Sequence, residues 1–205
     1  ASASDTLDGS LTVTSVSTVD TDTLGGYSVT YSVSDANGNA AEPVVRTVSV
    51  VDTTKPVITL LGSAIEIVEA KGTYTDAGAS ASDTLDGSLT DSVTSVSTVN
   101  TGAVGSYSVT YSVSDANGNA ADSVVRTVSV VDTTKPVITL LGSATETVEA
   151  KGIYTDAGAS ASDTLDGSLT VTTLNTVNTD AVGSYTVTYS VSDANGNAAV
   201  NVVRR

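Results

Sequence analysis

The string VDTTKPVITLLGSA begins at Val51 and again at Val131, so the chain repeats itself with a period of 80 residues. ASASDTLDGSLT occurs at Ala1, Ala79 and Ala159, and SVTYSVSDANGNAA occurs at Ser28, at Ser108 and, with Thr in first place, at Thr186. A chain of near-identical modules is built as a spacer, a polymer or a multivalent surface, because a single active site is not copied in this way. The period divides the chain into 1–51, 52–131 and 132–205, with Asp52-Thr-Thr-Lys-Pro56 and Asp132-Thr-Thr-Lys-Pro136 as linkers. Proline ends the preceding ladder and sets the start of the next strand. Residues 1–51 lack the strands that match 56–74, and the third repeat stops inside its closing strand. The expectation is a window from a longer array, with a first repeat whose open sheet edges pair with another chain or stay disordered in isolation.

Each repeat reads as all-β. Tyr107, Val109, Tyr111 and Val113 alternate with Ser108, Thr110 and Ser112, the period-two pattern of a half-buried strand. A valine-rich run over 124–130 follows, and the Asn-Gly step within 115–119 suits a hairpin turn between them. Short strands are predicted over 57–61 and 65–69, the second returning after Gly62-Ser63, with one or two more between 89 and 99. Six or seven such strands in about 80 residues predict a two-sheet sandwich. With no Met, Phe or Trp, the core must be small residues around a few tyrosines.

Composition removes whole classes of function. A formal charge of −15 repels nucleic acid and anionic membranes, so no nucleic-acid partner and no direct membrane insertion are expected. Without Cys there is no disulfide or thiolate site, and without His there is no Ser-His-Asp triad and no usual zinc ligand. Lys55 and Lys71 lie at a linker and a strand end, and paired use of Asp83 and Asp86 would place the same glycosidase site in every repeat. The chain therefore reads as non-enzymatic.

A series of motifs runs through the whole of 52–131 and nearly all of 132–205: Pro-x-Ile-x-Leu, Tyr-x-Asp-x-Gly-Ala, Asp-x-x-Asp-Gly-x-Leu-Thr, Gly-x-Tyr-x-Val-x-Tyr-x-Val-x-Asp-x-x-Gly-Asn and a closing Arg-x-Val-x-Val-x-Asp. Together they resemble the bacterial immunoglobulin-like surface repeat, a relative of hyalin repeats that also occurs in some pesticidal crystal proteins. The resemblance implies tandem immunoglobulin-like β-sandwiches in an extended array, on a large secreted or cell-surface, adhesin-like protein. It fixes no ligand.

Acidic loops are the one candidate chemistry. If the loops of a repeat gather at the pole where its linker arrives, a hard cation with oxygen ligands, calcium before magnesium, is the expected guest. The candidate ligands are Asp5, Asp8 and Asp35 in the first repeat, Asp52, Asp76, Asp83, Asp86, Asp115 and Asn117 in the second, and Asp132, Asp156, Asp163, Asp166, Asp193 and Asn195 in the third. The competing explanation is that Asp and Asn populate such loops as turn-formers. An EF-hand is excluded, because Ala120 stands where its glycine belongs and Arg126 where its bidentate Glu belongs. Arg126 shares strand parity with Val128 and Val130, which places it in the core-facing row and predicts a salt bridge to a loop carboxylate. Tyr107, in its Gly-x-Tyr context, is expected to pin a sandwich corner through its hydroxyl.

Three readings follow for function. The chain is a passive extender stiffened by calcium, with neighbouring repeats as its partners; or a self-assembling subunit of an extracellular filament or surface layer, with copies of itself; or a glycan-binding module. All eight tyrosines lie in predicted strands or at their ends, so platforms for stacking on sugars are scarce.

Overall fold

The computed structural model describes residues 1–205. The chain is all-β apart from one short 3₁₀ turn, Thr90–Ser92. Its contacts divide it into two compact units: Ala1–Val57 with Ser82–Leu89 and Ser114–Asp122, and Ile58–Ala81 with Thr90–Val113 and Ser123–Arg205.

The first unit opens with the hairpin of β1 (Ala3–Asp5) and β2 (Gly9–Leu11). A three-stranded antiparallel sheet follows, made by β3 (Thr14–Ser17), β4 (Gly25–Ser32) and β5 (Val44–Val50) in that order. The alternation of Tyr27, Val29 and Tyr31 puts them on one face with Val48 and Val50, as the period of two demands. Nevertheless these five residues are only half-buried.

In the middle repeat the strands are β6 (Val57–Leu60), β7 (Ile65–Glu69), β8 (Ala79–Asp83), β9 (Gly87–Ser88), β10 (Thr94–Ser97), β11 (Gly105–Ser112) and β12 (Val124–Val131). They make two sheets, ordered β6-β8-β9 and β10-β11-β12-β7. β11 and β12 pair antiparallel with Tyr107 opposite Val128 and Val109 opposite Arg126. That register brings Val109, Tyr111, Val128 and Val130 onto one buried face, none of them more than 2% exposed. Ile58, Ala79 and Ala81 complete this core from the other sheet. Each buried valine or tyrosine contributes about 1.5–3 kcal/mol of burial, and the alanines opposite them let the two sheets approach closely.

The expected return of the second strand does not occur. β7 pairs parallel with β12, Ile65 opposite Thr127 and Glu69 opposite Val131. Residues 61–64 therefore carry the chain from one sheet to the other, and β7 continues in the direction in which β12 leaves the repeat. The physical reason is sheet completion: Ile65–Glu69 supplies the fourth strand that β12 would otherwise lack at its open edge.

The third repeat contains β13 (Val137–Leu140), β14 (Ala159–Asp163), β15 (Gly167–Leu169), β16 (Thr172–Asn175), β17 (Val187–Ser190) and β18 (Val202–Arg204). Its sheets are β13-β14-β15 and β16-β17-β18, all antiparallel. Ile138, Ala161, Val187, Tyr189 and Ala199 form its core. Residues 145–149 are not a strand here, although Arg205 N–H donates to Ala144 O at 3.0 Å and Glu146 N–H to Arg205 O at 2.8 Å, which is how such a parallel pair begins.

Candidate functional site

Two polar constructions recur from repeat to repeat. The first is a clasp around the closing-strand arginine. Arg126 is fully buried, and its Nε donates to Ser63 O at 2.9 Å and its Nη2 to Gly78 O at 3.1 Å and to Leu61 O. Its Nη1 pairs with the Asp76 carboxylate and donates to Tyr111 Oη at 3.0 Å. Tyr111 in turn donates to Asp76 at 2.6 Å, and Tyr74 donates to the same oxygen at 3.0 Å. The third repeat copies the arrangement with Arg204 and Asp156, Ser143 O at 2.9 Å and Tyr189 at 2.5 Å from the carboxylate. A buried guanidinium is tolerated only when its donors are met, and these are.

The titration of these groups follows from their surroundings. Burial pushes the Asp76 carboxyl up, but the hydrogen bonds from Tyr111 and Tyr74 and the charge of Arg126 outweigh it, so its pKa lies below the ordinary value. Asp156 is lowered by the same balance. Burial, then the hydrogen bond to Asp156, pushes the Tyr189 hydroxyl up to about 12. The salt bridge expected from the parity of Arg126 is present. Asp76 and Asp156 were expected at the acidic pole and instead belong to this clasp, because the chain passes between sheets where they were expected to follow a returning strand.

The second construction is the pole at which each linker arrives. In the middle repeat Asp115 Oδ1 accepts from Asn117 N–H at 2.9 Å and Asn119 N–H at 2.7 Å, and Oδ2 accepts from Asn119 Nδ2 at 2.7 Å. Gly118 sits at φ 89°, which an L side chain rarely adopts. Asn117 Nδ2 donates to Asp52 Oδ2 at 3.1 Å, Asn119 Nδ2 to Asp52 O at 3.3 Å, and Ala116 N–H to Asp86 Oδ2 at 2.9 Å. Asp83 Oδ1 accepts from Leu85 N–H at 2.7 Å. The third repeat reproduces this set with Asp132, Asp163, Asp166, Asp193 and Asn195. Asp52, Asp83, Asp86, Asp115 and Asn117 therefore meet at one pole, as do their third-repeat counterparts.

Within that set the roles differ. Asp115 and Asp193 have both oxygens occupied by their own turns, which makes them turn-formers. Each carboxyl is raised by burial and lowered further by the Asn119 or Asn197 amide and the turn N–H groups, for a net fall. Asp35 is the same turn-former in the first repeat, lowered chiefly by the Asn39 side chain. Asp5 caps the turn to Leu7 and Asp8, and Asp8 accepts from Ala36 N–H at 3.0 Å.

Two further features fix the repeats. The Tyr107 hydroxyl donates to Ala103 O at 2.9 Å, and Tyr27 and Tyr185 do the same to Thr23 O and Ala181 O at 2.6 and 2.9 Å. The tyrosine corner is thus present in all three repeats. Glu69 was not foreseen from the sequence. Its carboxylate accepts from the N–H and hydroxyl of both Thr133 and Thr134, at 2.8–3.0 Å, and clamps the second linker. These hydrogen bonds, that of Thr133 N–H first, hold its pKa at about 2. The contact spans 64 residues, so no local pattern announces it.

Paired sheets over a small-residue core, a tyrosine corner and tandem repetition define an immunoglobulin-like module. The chain belongs to the family described as bacterial surface protein, Ig-like domain, which matches residues 1–50, 58–130 and 138–205. Over 187 residues it is 33% identical to hyalin of Strongylocentrotus purpuratus, covering 86% of this chain and 16% of hyalin. It is 31% identical over 208 residues to the pesticidal crystal protein Cry22Aa of Bacillus thuringiensis, covering 96% of this chain and 28% of that protein. The chain thus spans less than a third of the length of these relatives. Among solved structures, the CBM51-2 and INT domains of Clostridium perfringens ZmpB align over 43% of this chain and 20% of theirs, at 25% identity and a TM-score of 0.33. No helix of the chain is long and apolar enough to cross a membrane.

Proposed function

We propose that these repeats are non-catalytic spacers of a large secreted or cell-surface, adhesin-like protein. The observation that carries this reading is the use to which the polar groups are put. In the middle repeat Arg126, Asp76, Tyr111 and Tyr74 close the sandwich, Tyr107 pins a corner, and Glu69 holds the following linker. Such a molecule sets distance and orientation, and its net charge of −15 keeps a long repeat array soluble. The glycan-binding reading is weaker, because the Tyr111 ring is buried, the Tyr107 ring is half-buried, and the hydroxyls of both are committed to hydrogen bonds within the repeat.

A second reading is favoured by one feature. In the first unit the sheet face of Val29, Tyr31 and Val48 is half-buried where the matching Val109, Tyr111 and Val128 are fully covered, so a neighbouring molecule has a surface to complete. That reading makes the chain a filament or surface-layer subunit.

The test is to place two, four or eight copies of the 80-residue repeat beneath a reporter epitope on a bacterial surface. A spacer raises antibody access stepwise with copy number in a dispersed cell. Access independent of copy number overturns the spacer reading, and concentration-dependent sedimentation of the purified chain into long polymers favours the subunit.

A further inference from the structure

We propose that Asp132, Asp163 and Asp166 form a calcium site at the pole of the third repeat. One carboxylate oxygen from each lies within 4.8 Å of the others. Three anions brought this close repel one another unless a cation joins them. No side chain of this protein does so, because the ion pairs of the repeat are those of Arg204 with Glu146 and Asp156.

An independent observation points the same way. Asp163 is only 9% exposed, and its Oδ2 has no hydrogen-bond partner. Its other oxygen is occupied by Leu165 N–H at 2.7 Å and Asp166 N–H at 3.2 Å, which fixes the carboxylate with the unpartnered oxygen held in place. An orphaned buried carboxylate oxygen is rare because its desolvation is uncompensated, and a bound ion is one of the few things that explains it. Asp83 repeats the feature in the middle repeat: 8% exposed, with Oδ2 again unpartnered.

The remaining ligands are held ready by the fold. Asp132 is steadied by Thr134 N–H at 3.2 Å and Asn195 Nδ2 at 2.9 Å, each on one oxygen, and its backbone oxygen accepts from Asn197 Nδ2 at 3.1 Å. Asp166 has one oxygen on Ala194 N–H at 2.8 Å. A carboxylate oxygen carries two lone pairs, so these bonds orient the groups and still leave capacity for a metal. An all-oxygen, carboxylate-rich, irregular set of this kind suits calcium, whereas magnesium demands a tight octahedron and transition metals favour nitrogen or sulfur. The ion joins the linker, through Asp132, to the β14–β15 turn, through Asp163 and Asp166.

The experiment is native mass spectrometry and titration calorimetry of the full chain, first stripped with chelator and then given calcium chloride. Calcium should bind and raise Tm; Asp166→Asn should leave the circular dichroism spectrum unchanged, remove one bound ion and weaken that step about tenfold or more. Asp163→Asn should do the same, and if it fails to fold, Asp166→Asn alone decides. No binding up to about 5 mM calcium, an ion count unchanged in Asp166→Asn, or tighter binding of magnesium than of calcium would each overturn the assignment.

Discussion

Arg126 on β12 and Asp76, 50 residues earlier in the chain, form an ion pair whose arginine is wholly buried. The same strand position in the first unit is Arg46, which is exposed and has only the Tyr31 ring beside it, 5.7 Å from the ring centre. One residue type in one strand position is thus buried or exposed according to whether a carboxylate-bearing segment lies over it. A buried pair is weak as a source of net stability and strong as a constraint, since only one packing of the two sheets satisfies it.

Removing one partner should therefore be costly. Asp76→Ala leaves the buried Arg126 charge with only the more distant Glu66 carboxylate, 3.7 Å from its Nε, and is expected to lower the stability of the middle repeat by about 3 kcal/mol. Arg46→Ala should change stability by less than about 0.5 kcal/mol. Urea titrations of both variants check the pair, and a cost below about 1 kcal/mol for Asp76→Ala would contradict the clasp.

The two tyrosine hydroxyls should separate by context. Tyr111→Phe deprives a partly buried carboxylate of a donor, at a cost of about 2 kcal/mol. Tyr107→Phe frees only an exposed carbonyl, at about 1 kcal/mol or less. Equal losses, read from thermal unfolding, would show that Tyr111 contributes only as a core ring.

Acid should loosen the second linker. The Glu69 pKa is lowered from 4.5 to about 2, so the folded state binds its proton less readily than the unfolded state. The stabilisation is present in full above pH 4.5 and is lost as pH falls through about 2. Amide exchange at Thr133 and Thr134, once corrected for the intrinsic pH dependence, should speed up across that window. In Glu69→Gln it should be fast throughout; unaltered exchange in that variant would remove Glu69 from the hinge.

Much of this was legible in the sequence, because its signals are local. The alternation around Tyr107 to Val113 gave the strand and its buried face, the Asn-Gly step gave the turn, and parity placed Arg126 in the core. What stayed hidden depends on topology. The passage from β6 to β7 crosses between sheets, and nothing in Gly62-Ser63 distinguishes that from a hairpin. Asp76 is placed by the same passage, since a strand returning after Gly62-Ser63 would take it to the pole. Glu69 and the linker threonines meet only because β7 runs beside β12, a pairing that periodicity cannot reveal. The acidic pole was legible as a gathering of loops, but the division between Asp115 as a turn-former and Asp83 as the holder of a free oxygen needs coordinates.

The spacer account is tested most directly by small-angle scattering on tandem arrays of two, four and eight repeats. It predicts a maximum dimension that grows linearly, by roughly 30–40 Å per repeat, as strands of 8–10 residues arranged end to end require. A maximum dimension rising only as the cube root of repeat number, as for a collapsed globule, would contradict it.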